Sequence, residues 1–440
     1  MTDKRIWGWW FFDWASQPYN TLLITFIFGP YVASVLGDGT QAQAAWGYGI
    51  GAAGIVMAIL APILGAIADQ TGRRMPWIWL FSALYVAGSS MLWFAAPQDF
   101  DLFRTMIFFG IGLIGMEFAT IFTNAMLPTL TTPERLGRVS GSGWAFGYVG
   151  GLIALVAMLL LFAEDDTTGR TLIGIEPLFG LDPETREGTR FVGPFTAIWF
   201  VVFMVPFFIW VKEPRVAGGR VQIGKALSGL KRTIRRLPET PSQLTFLIAS
   251  MLYRDGLSGA YALGAIFAAG VLEWSVVQTG TFGILAVISG AVFAWLGGRA
   301  DERFGPKPVI VTCCVLLLVT ILVAMFVSRE SVFGVPLEPG SSLPDIMFHG
   351  IGIAIGAGGG ALQAASRTMM IRQGNPDRMT EAFGLYALSG KATSFIAPLS
   401  IGVATSLTGS QQLGISPLII LFGAGLILLL WVKPDGDRAV

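Results

Sequence analysis

In hydrocarbon a polypeptide has no water for its backbone N–H and C=O groups, so it must satisfy them within a helix or around a closed barrel. The apolar residues of this chain come in runs near the roughly 20 residues that a helix needs to cross a bilayer. Twelve such runs can be drawn, at 8–36, 44–68, 76–96, 102–127, 138–162, 193–211, 242–270, 275–299, 308–328, 343–366, 380–407 and 413–431. The alternating pattern of barrel strands is absent. Charged residues make up 13% of the chain and apolar ones 53%, against roughly 25% charged in a soluble protein. The expected fold is an all-α membrane protein with twelve transmembrane helices.

The basic residues orient it. Of the 29 Lys and Arg, 22 fall on one side of these runs, among them Lys4, Arg5, Arg73, Arg74, Arg138, Arg303, Arg367 and Arg378. Positive charge gathers on the cytoplasmic side, so both termini are expected in the cytoplasm. The acidic connection 163–192 then faces outward. No cleavable leader is expected, because Lys4-Arg5 runs directly into an aromatic segment without a small-residue cleavage site. The connection 212–241 carries Ile223, Ala226, Leu227, Leu230, Ile234 and Leu237 at helical spacing, with Lys225, Lys231, Arg232, Arg235 and Arg236 on the other faces. That pattern predicts an amphipathic helix on the anionic leaflet, either a tether between two bundles or a lipid- or partner-responsive element.

A repeated turn divides the chain in two. Gly65, Asp69, Gly72, Arg73 and Arg74 close one apolar run, and Gly297, Asp301, Arg303, Gly305 and Lys307 close another about half a chain later. In each, a Gly stands four residues before an Asp, where helices can approach closely and a carboxylate can meet a helix N-terminus or an Arg. The second copy has one more residue between its Asp and its turn Gly. An offset of 242 or 243 also aligns Asp13 with Asp255, Gly141 with Gly384 and Gly147 with Gly390. Internal repeats of this kind are typical of transporters. The expected organisation is 1–211 as one six-helix bundle, 212–241 as a basic linker and 242–440 as a second, pseudo-symmetric bundle.

Six spans per half and the Gly65–Arg74 block resemble the major facilitator superfamily. Five further blocks are similar to its vacuole-effluxer-like branch, the autophagy-related amino-acid effluxers. These are Phe12-Asp13-Trp14-Ala15-Ser16-Gln17-Pro18-Tyr19, Thr25 to Tyr31, Asn124-Ala125-Met126-Leu127-Pro128, Tyr386 to Ser394 and Gly414-Ile415-Ser416-Pro417. Gln17-Pro18 departs from the Asn-Ser usual in the first of them. The resemblance implies alternating access, with spans 1, 4, 7 and 10 lining a central cavity and spans 3, 6, 9 and 12 facing lipid. It also implies that Asp69, Arg73, Arg74, Arg138, Asp301 and Arg303 steady a cytoplasmic gate.

Ionisable residues inside spans cost several kcal/mol unless paired or hydrated. They are Asp13 in span 1, Glu117 in span 4, Arg254 and Asp255 in span 7 and Lys391 in span 11. All lie where the resemblance puts the cavity or its flank. Glu117, Asp13 and Asp255 are the candidate proton carriers. Glu117 could instead form a fixed pair with Lys391 or Arg254, and Asp13 could serve as a gate contact or cap. Neighbours on a helix diverge by about 100°, so Arg254 and Asp255 should not meet one partner. Candidate substrate contacts are Lys391, Arg254, Gln17, Tyr19, Asn20, Asn124, Gln363 and Tyr386, with Pro18 as a kink. Trp144, Tyr148, Tyr253 and Tyr261 could wall the cavity, while Trp7, Trp9 and Trp10 are expected to anchor at the interface.

No Cys/His cluster, phosphate-cradling loop or nucleophile elbow occurs, so no metal or cofactor is expected and uphill transport would use an ion gradient. The reading is a secondary transporter, not an enzyme. It would carry a small polar solute such as an amino acid or similar zwitterion, with protons as coupling ion. Acidic and basic cavity groups together suit such a solute. It would act as a monomer among the lipids of the cell (inner) membrane, with no nucleic-acid partner. The alternatives are a membrane-embedded enzyme or a non-transporting sensor acting on a lipid or small ligand.

Overall fold

Pro18 is where the first apolar run stops being a regular helix. Helix α1, Lys4–Pro18, is capped by Asp3, whose carboxylate accepts from Arg5 N at 3.0 Å. After Pro18, which lacks the N–H a continuing helix would use, the chain widens into a π-helical stretch, Tyr19–Phe26, before helix α2, Phe28–Leu36. Such wide turns often mark functional positions. The computed structural model describes residues 3–36, 39–165, 168–213, 223–272, 274, 276–393 and 396–437. Within these helices, the side chains of 39–48, 223, 226, 227, 262–270, 276–280, 391 and 392 lie outside the described residues.

The described chain is helical apart from a small antiparallel ribbon, β1 (Ser331–Val332) with β2 (Val335–Pro336). After α2 come α3 (Gly39–Thr71), α4 (Met75–Met91), α5 (Leu102–Asn124), α6 (Leu136–Leu161), the short α7 (Glu187–Arg190) and α8 (Val192–Trp210). The second half holds α9 (Ile223–Arg236), α10 (Pro241–Val271), α11 (Val276–Phe304), α12 (Pro306–Ala324) and α13 (Leu343–Gln373). It ends with α14 (Met379–Ala392), α15 (Ile396–Thr408), α16 (Gln411–Gly414) and α17 (Pro417–Leu429). Among the described residues, ten helices are long and apolar enough to cross a membrane. The expected spans outside that set are 242–270, which is α10, and 380–407. The latter holds two described helices, α14 and α15, with Thr393 in a turn after the first.

The chain forms two compact units, residues 1–126 with 146–222 and residues 127–145 with 223–440. This departs from a division at the linker in two places. The start of α6 packs with the second unit, and so does the linker helix α9.

The repeated turn has a backbone reason. Gly72 follows α3 at φ 64° and Gly305 precedes α12 at φ 83°, a left-handed conformation that side chains disfavour. In the first unit Glu213 then caps α4, its two carboxylate oxygens accepting from Arg74 N at 2.8 Å and Met75 N at 2.9 Å. The connection 163–192 is fixed by Glu164, which is buried and accepts from Arg186 Nε at 2.8 Å and Thr189 Oγ1 at 2.7 Å.

In the second unit the glycine run of α13 serves close packing. A Cβ on Gly352 would strike the Phe282 ring, one on Gly356 the Ala286 carbonyl, and one on Gly360 the Gly290 carbonyl. The steps of four match on α13 and α11, so the two helices run parallel. In lipid, where the hydrophobic effect does not drive helices together, such small-residue faces do. Gly356→Val should cost about 1–3 kcal/mol or more through overpacking, read as a lowered unfolding temperature in detergent; an unchanged value would disprove the contact.

One expected interface residue is corrected. Trp9 is fully buried and its indole N–H donates to Thr123 O at 2.9 Å on α5. It holds two helices of the first unit together instead of anchoring at a membrane surface. Its Nε1 needs an acceptor when buried, and Thr123 near the end of α5 supplies one. Trp7, on another face, is 41% exposed.

Candidate functional site

The break in the penultimate span is held from both sides by two consecutive residues of α10. Arg254 Nη1 donates to Tyr386 O at 3.1 Å, and its guanidinium carbon lies 4.2 Å from the centre of the Tyr386 ring. It occupies the space a side chain at Gly390 would need, 2.6 Å from that position. All these contacts are to α14. Asp255 reaches the other piece: its Oδ2 accepts from Ala397 N at 2.9 Å, in the first turn of α15. A helix start leaves its first N–H groups unpaired and carries a partial positive charge, and the carboxylate answers both.

Arg254 and Asp255 thus diverge as helix neighbours must, and each meets a different helix, α14 or α15. Asp255 is 3% exposed, and its second oxygen, Oδ1, has no hydrogen-bond partner. Tyr253, one residue earlier, exchanges a hydrogen bond with Ser366 on α13 at 2.8 Å. Gln363 lies half-buried on α13, while the Lys391 side chain lies outside the described residues.

In the first unit the sequence candidates separate. Asn20, in the π-helical stretch, points its amide nitrogen to Met116 Sδ at 4.0 Å, one residue before Glu117 on α5. Glu117, Asp13 and Asn124 are half-buried, and each engages other groups. Gln17 packs against Gly151 of α6. Tyr19 goes elsewhere: it is fully buried, donates to Phe109 O at 2.5 Å and stacks edge-on with Tyr85. Its hydroxyl is spent on helix packing.

The repeat reappears as touching pairs within each unit. The Asp13 backbone meets Gly147 between α1 and α6, and Arg254, beside Asp255, meets Gly390 between α10 and α14. These are the positions that the offset of 242 or 243 aligns.

The gate candidates fall into two groups. Asp69 and Arg74 pair at 3.2 Å, with the Asp69 side chain only 4% exposed. Asp301 is buried, accepts a short hydrogen bond from Thr368 on α13, and lies against Gly137 near the start of α6. Arg73, Arg138 and Arg303 are exposed. The sequence reading missed Arg367 as a site residue, counting it only among the basic residues of its side. It is buried; its Nε donates to Ser140 Oγ at 2.9 Å and its Nη2 to Ser140 O at 2.7 Å. The guanidinium also lies 5.6 Å from the Trp144 ring centre. The available signal was an Arg at the end of an apolar run whose preceding turn, Ala364-Ala365-Ser366, offers it no acid.

Among the described residues, no group of three His, Cys, Asp or Glu side chains could hold a metal ion. The sequence candidates lie singly or in pairs within apolar helices.

Comparison with known proteins agrees with that arrangement. The sequence profile described as "Vacuole effluxer Atg22 like" matches residues 134–439, and that of the major facilitator superfamily matches residues 1–155. The uncharacterized MFS-type transporter YxiO of Bacillus subtilis (strain 168) is 25% identical over 451 residues, covering 98% of this chain and 96% of its own. Autophagy-related protein 22-1 of Aspergillus clavatus is 26% identical over 330 residues, covering 70% of this chain and 51% of its own. This chain thus spans about half the length of such fungal relatives. Two solved structures share the fold. The human organic anion transporter MFSD10 superposes with a TM-score of 0.67 at 15% identity, over 97% of this chain and 99% of its own. The E. coli fucose:proton symporter FucP superposes with a TM-score of 0.65 at 14% identity, over 98% of each chain. Proteins of this superfamily are transporters and not enzymes, which removes the enzyme alternative. The chain is a multi-pass integral membrane protein and belongs to the vacuole effluxer Atg22-like family of major facilitator superfamily transporters.

Proposed function

We propose that this protein moves a small zwitterion, an amino acid or a close analogue, through the cell membrane by alternating access coupled to protons. The observation that carries the reading is Arg254 and Asp255, a cation and a carboxylate at consecutive positions of α10 that hold two successive helices, α14 and α15. Interrupted helices are where transporters of several folds place their solutes, because free backbone groups and helix ends become available to bind charge. Arg254 suits the carboxylate of a zwitterion and Asp255 its ammonium group. Lys391, one residue beyond Gly390 in the same span, would add a second positive charge, and Gln363 and Tyr386 would complete this side. The first unit carries its own candidates: Asn20, Gln17 and Asn124 as polar solute contacts, and Glu117 and Asp13 as further proton carriers.

A carboxyl in a membrane-spanning helix can take up a proton on one side and release it on the other only if its charged form is tolerated but not locked in place. Asp255, satisfied at one oxygen alone, meets that description. The fucose:proton symporter FucP, which shares the fold, supports the reading by analogy; the residues here are this chain's own.

The test is uptake of a labelled amino-acid panel into proteoliposomes, with and without an imposed pH gradient, for the wild type and for Glu117→Gln. The wild type should accumulate one or more amino acids in response to the gradient, and the variant should lose accumulation while remaining folded. Absence of flux for every amino acid would refute the solute class. Gradient-driven accumulation retained in the variant would remove Glu117 from the coupling step.

A further inference from the structure

The linker helix α9 does not stand alone. Arg378, at the start of α14, reaches back to it: its Nη1 donates to Thr233 Oγ1 at 2.8 Å and to Gly229 O at 3.4 Å, and pairs with Glu381 at 3.5 Å. Gly229 gives the guanidinium room, since a Cβ there would come within 3.1 Å of Nη2. Leu230 is buried beside it. Between the pinned helix and the ends of α10, α13 and α14 lies a cavity of about 280 Å³. Arg232, Arg236 and Arg378 line it, together with Gln243 and Asn375, and Glu381 is its one acid.

We infer that this cavity is a binding site for a phosphate-bearing anion, supplied either by the headgroup of an acidic phospholipid or by free phosphate. Arg232, Arg236 and Arg378 all line the one hollow, Arg378 held there by Thr233 and Gly229 O and Arg236 3.8 Å from Glu239. Guanidinium forks match phosphate oxygens with paired, charge-assisted hydrogen bonds. Amide donors from Gln243 and Asn375 complete a lining that suits an anion. None of these residues is among the solute or proton contacts, so the site stands apart from the proposed function. The orientation expected from the basic residues puts the cavity at the cytoplasmic face, where acidic headgroups lie within reach. Such a ligand would bridge α9 to the start of α14, joining the linker to the same divided span that Arg254 and Asp255 hold.

The cavity makes a sharper claim than general attraction of a basic helix to an acidic surface. Lys225 and Lys231 sit on the same helix, are exposed, and do not line the hollow. The experiment measures binding to the purified full chain of dihexanoyl phosphatidylglycerol, dihexanoyl phosphatidylcholine and inorganic phosphate, the last against chloride at matched ionic strength. The wild type should bind the acidic lipid, the phosphate, or both, in preference to phosphatidylcholine. Arg232→Gln/Arg236→Gln, which leaves the Arg378 anchor intact, should weaken that binding by about tenfold or more. Lys225→Gln/Lys231→Gln should leave it within about twofold, since exposed charges away from the site contribute little. Preference for the lipid over free phosphate assigns the headgroup as the source, and the reverse assigns a soluble phosphate. Equal losses in the two double variants would overturn the inference in favour of diffuse attraction, and so would no loss in either or no binding by the wild type.

Discussion

Asp255→Asn should abolish accumulation driven by a pH gradient while leaving solute exchange across proteoliposome membranes intact. The amide carbonyl of Asn can still accept from Ala397 N, now 2.9 Å from Asp255 Oδ2, so α15 keeps its cap. What the substitution removes is the ability of the second oxygen, unpartnered and buried, to gain and lose a proton. Asp255→Leu removes more. The first turn of α15 is then left with an unpaired amide away from water, which costs about 1–3 kcal/mol. Lower thermal stability and loss of both driven uptake and exchange should follow. The two variants separate a proton carrier from a cap. If Asp255→Asn accumulates solute normally, the carboxylate is structural and the coupling step lies elsewhere.

That division was only partly legible in the sequence. Asp255 stood out because a charge in an apolar run needs a reason. Its partner could not be read, because Ala397 lies 142 residues away and offers only a backbone N–H. The break was partly legible. Gly390 to Ser394 contains no Pro, but Pro398 in the first turn of α15 lacks the N–H a continuous helix would use there. The reading passed over that local stop signal, while α10 holds α14 and α15 from outside. Pro18 gave the opposite case, a visible interruption whose π-helical continuation depends on how Tyr19 reaches Phe109. Trp9 was misplaced because an aromatic cluster near a chain end looks alike whether it faces lipid or a neighbouring helix. Where the signal was periodic, the reading held further. The glycines of α13 at steps of four are legible as a close-packing face, and Gly356 and Gly360 meet Ala286 and Gly290 on α11. The repeated turn was legible because positive φ demands Gly whatever surrounds it.

Arg367→Leu should slow transport by about 10–100-fold, the size expected when charge-assisted hydrogen bonds that hold one conformation are lost. Arg367 is 3% exposed and gives two hydrogen bonds to a single residue of α6, Ser140, whose hydroxyl in turn donates to Ala364 O at 2.9 Å. Around this knot the helices touch at their backbones: Gly141 meets Ala294 O and Gly298, and Gly137 meets Asp301. A helix whose remainder packs in the first unit is thus clamped, over 136–145, into the second. We propose this clamp as the closing contact of the gate. Transport requires that it form and release in every cycle, so its loss biases the equilibrium without touching the solute. Amide hydrogen exchange over 136–145 should accelerate in Arg367→Leu while exchange in α4 and α5 stays unchanged. Gly141→Leu attacks the same contact sterically with Arg367 in place and should give the same pattern. Arg367→Lys keeps the charge but cannot supply two parallel N–H groups, so it should recover only part of the rate. Wild-type transport together with unchanged exchange in both Arg367→Leu and Gly141→Leu would show that the clamp stays closed throughout the cycle and is not the gate.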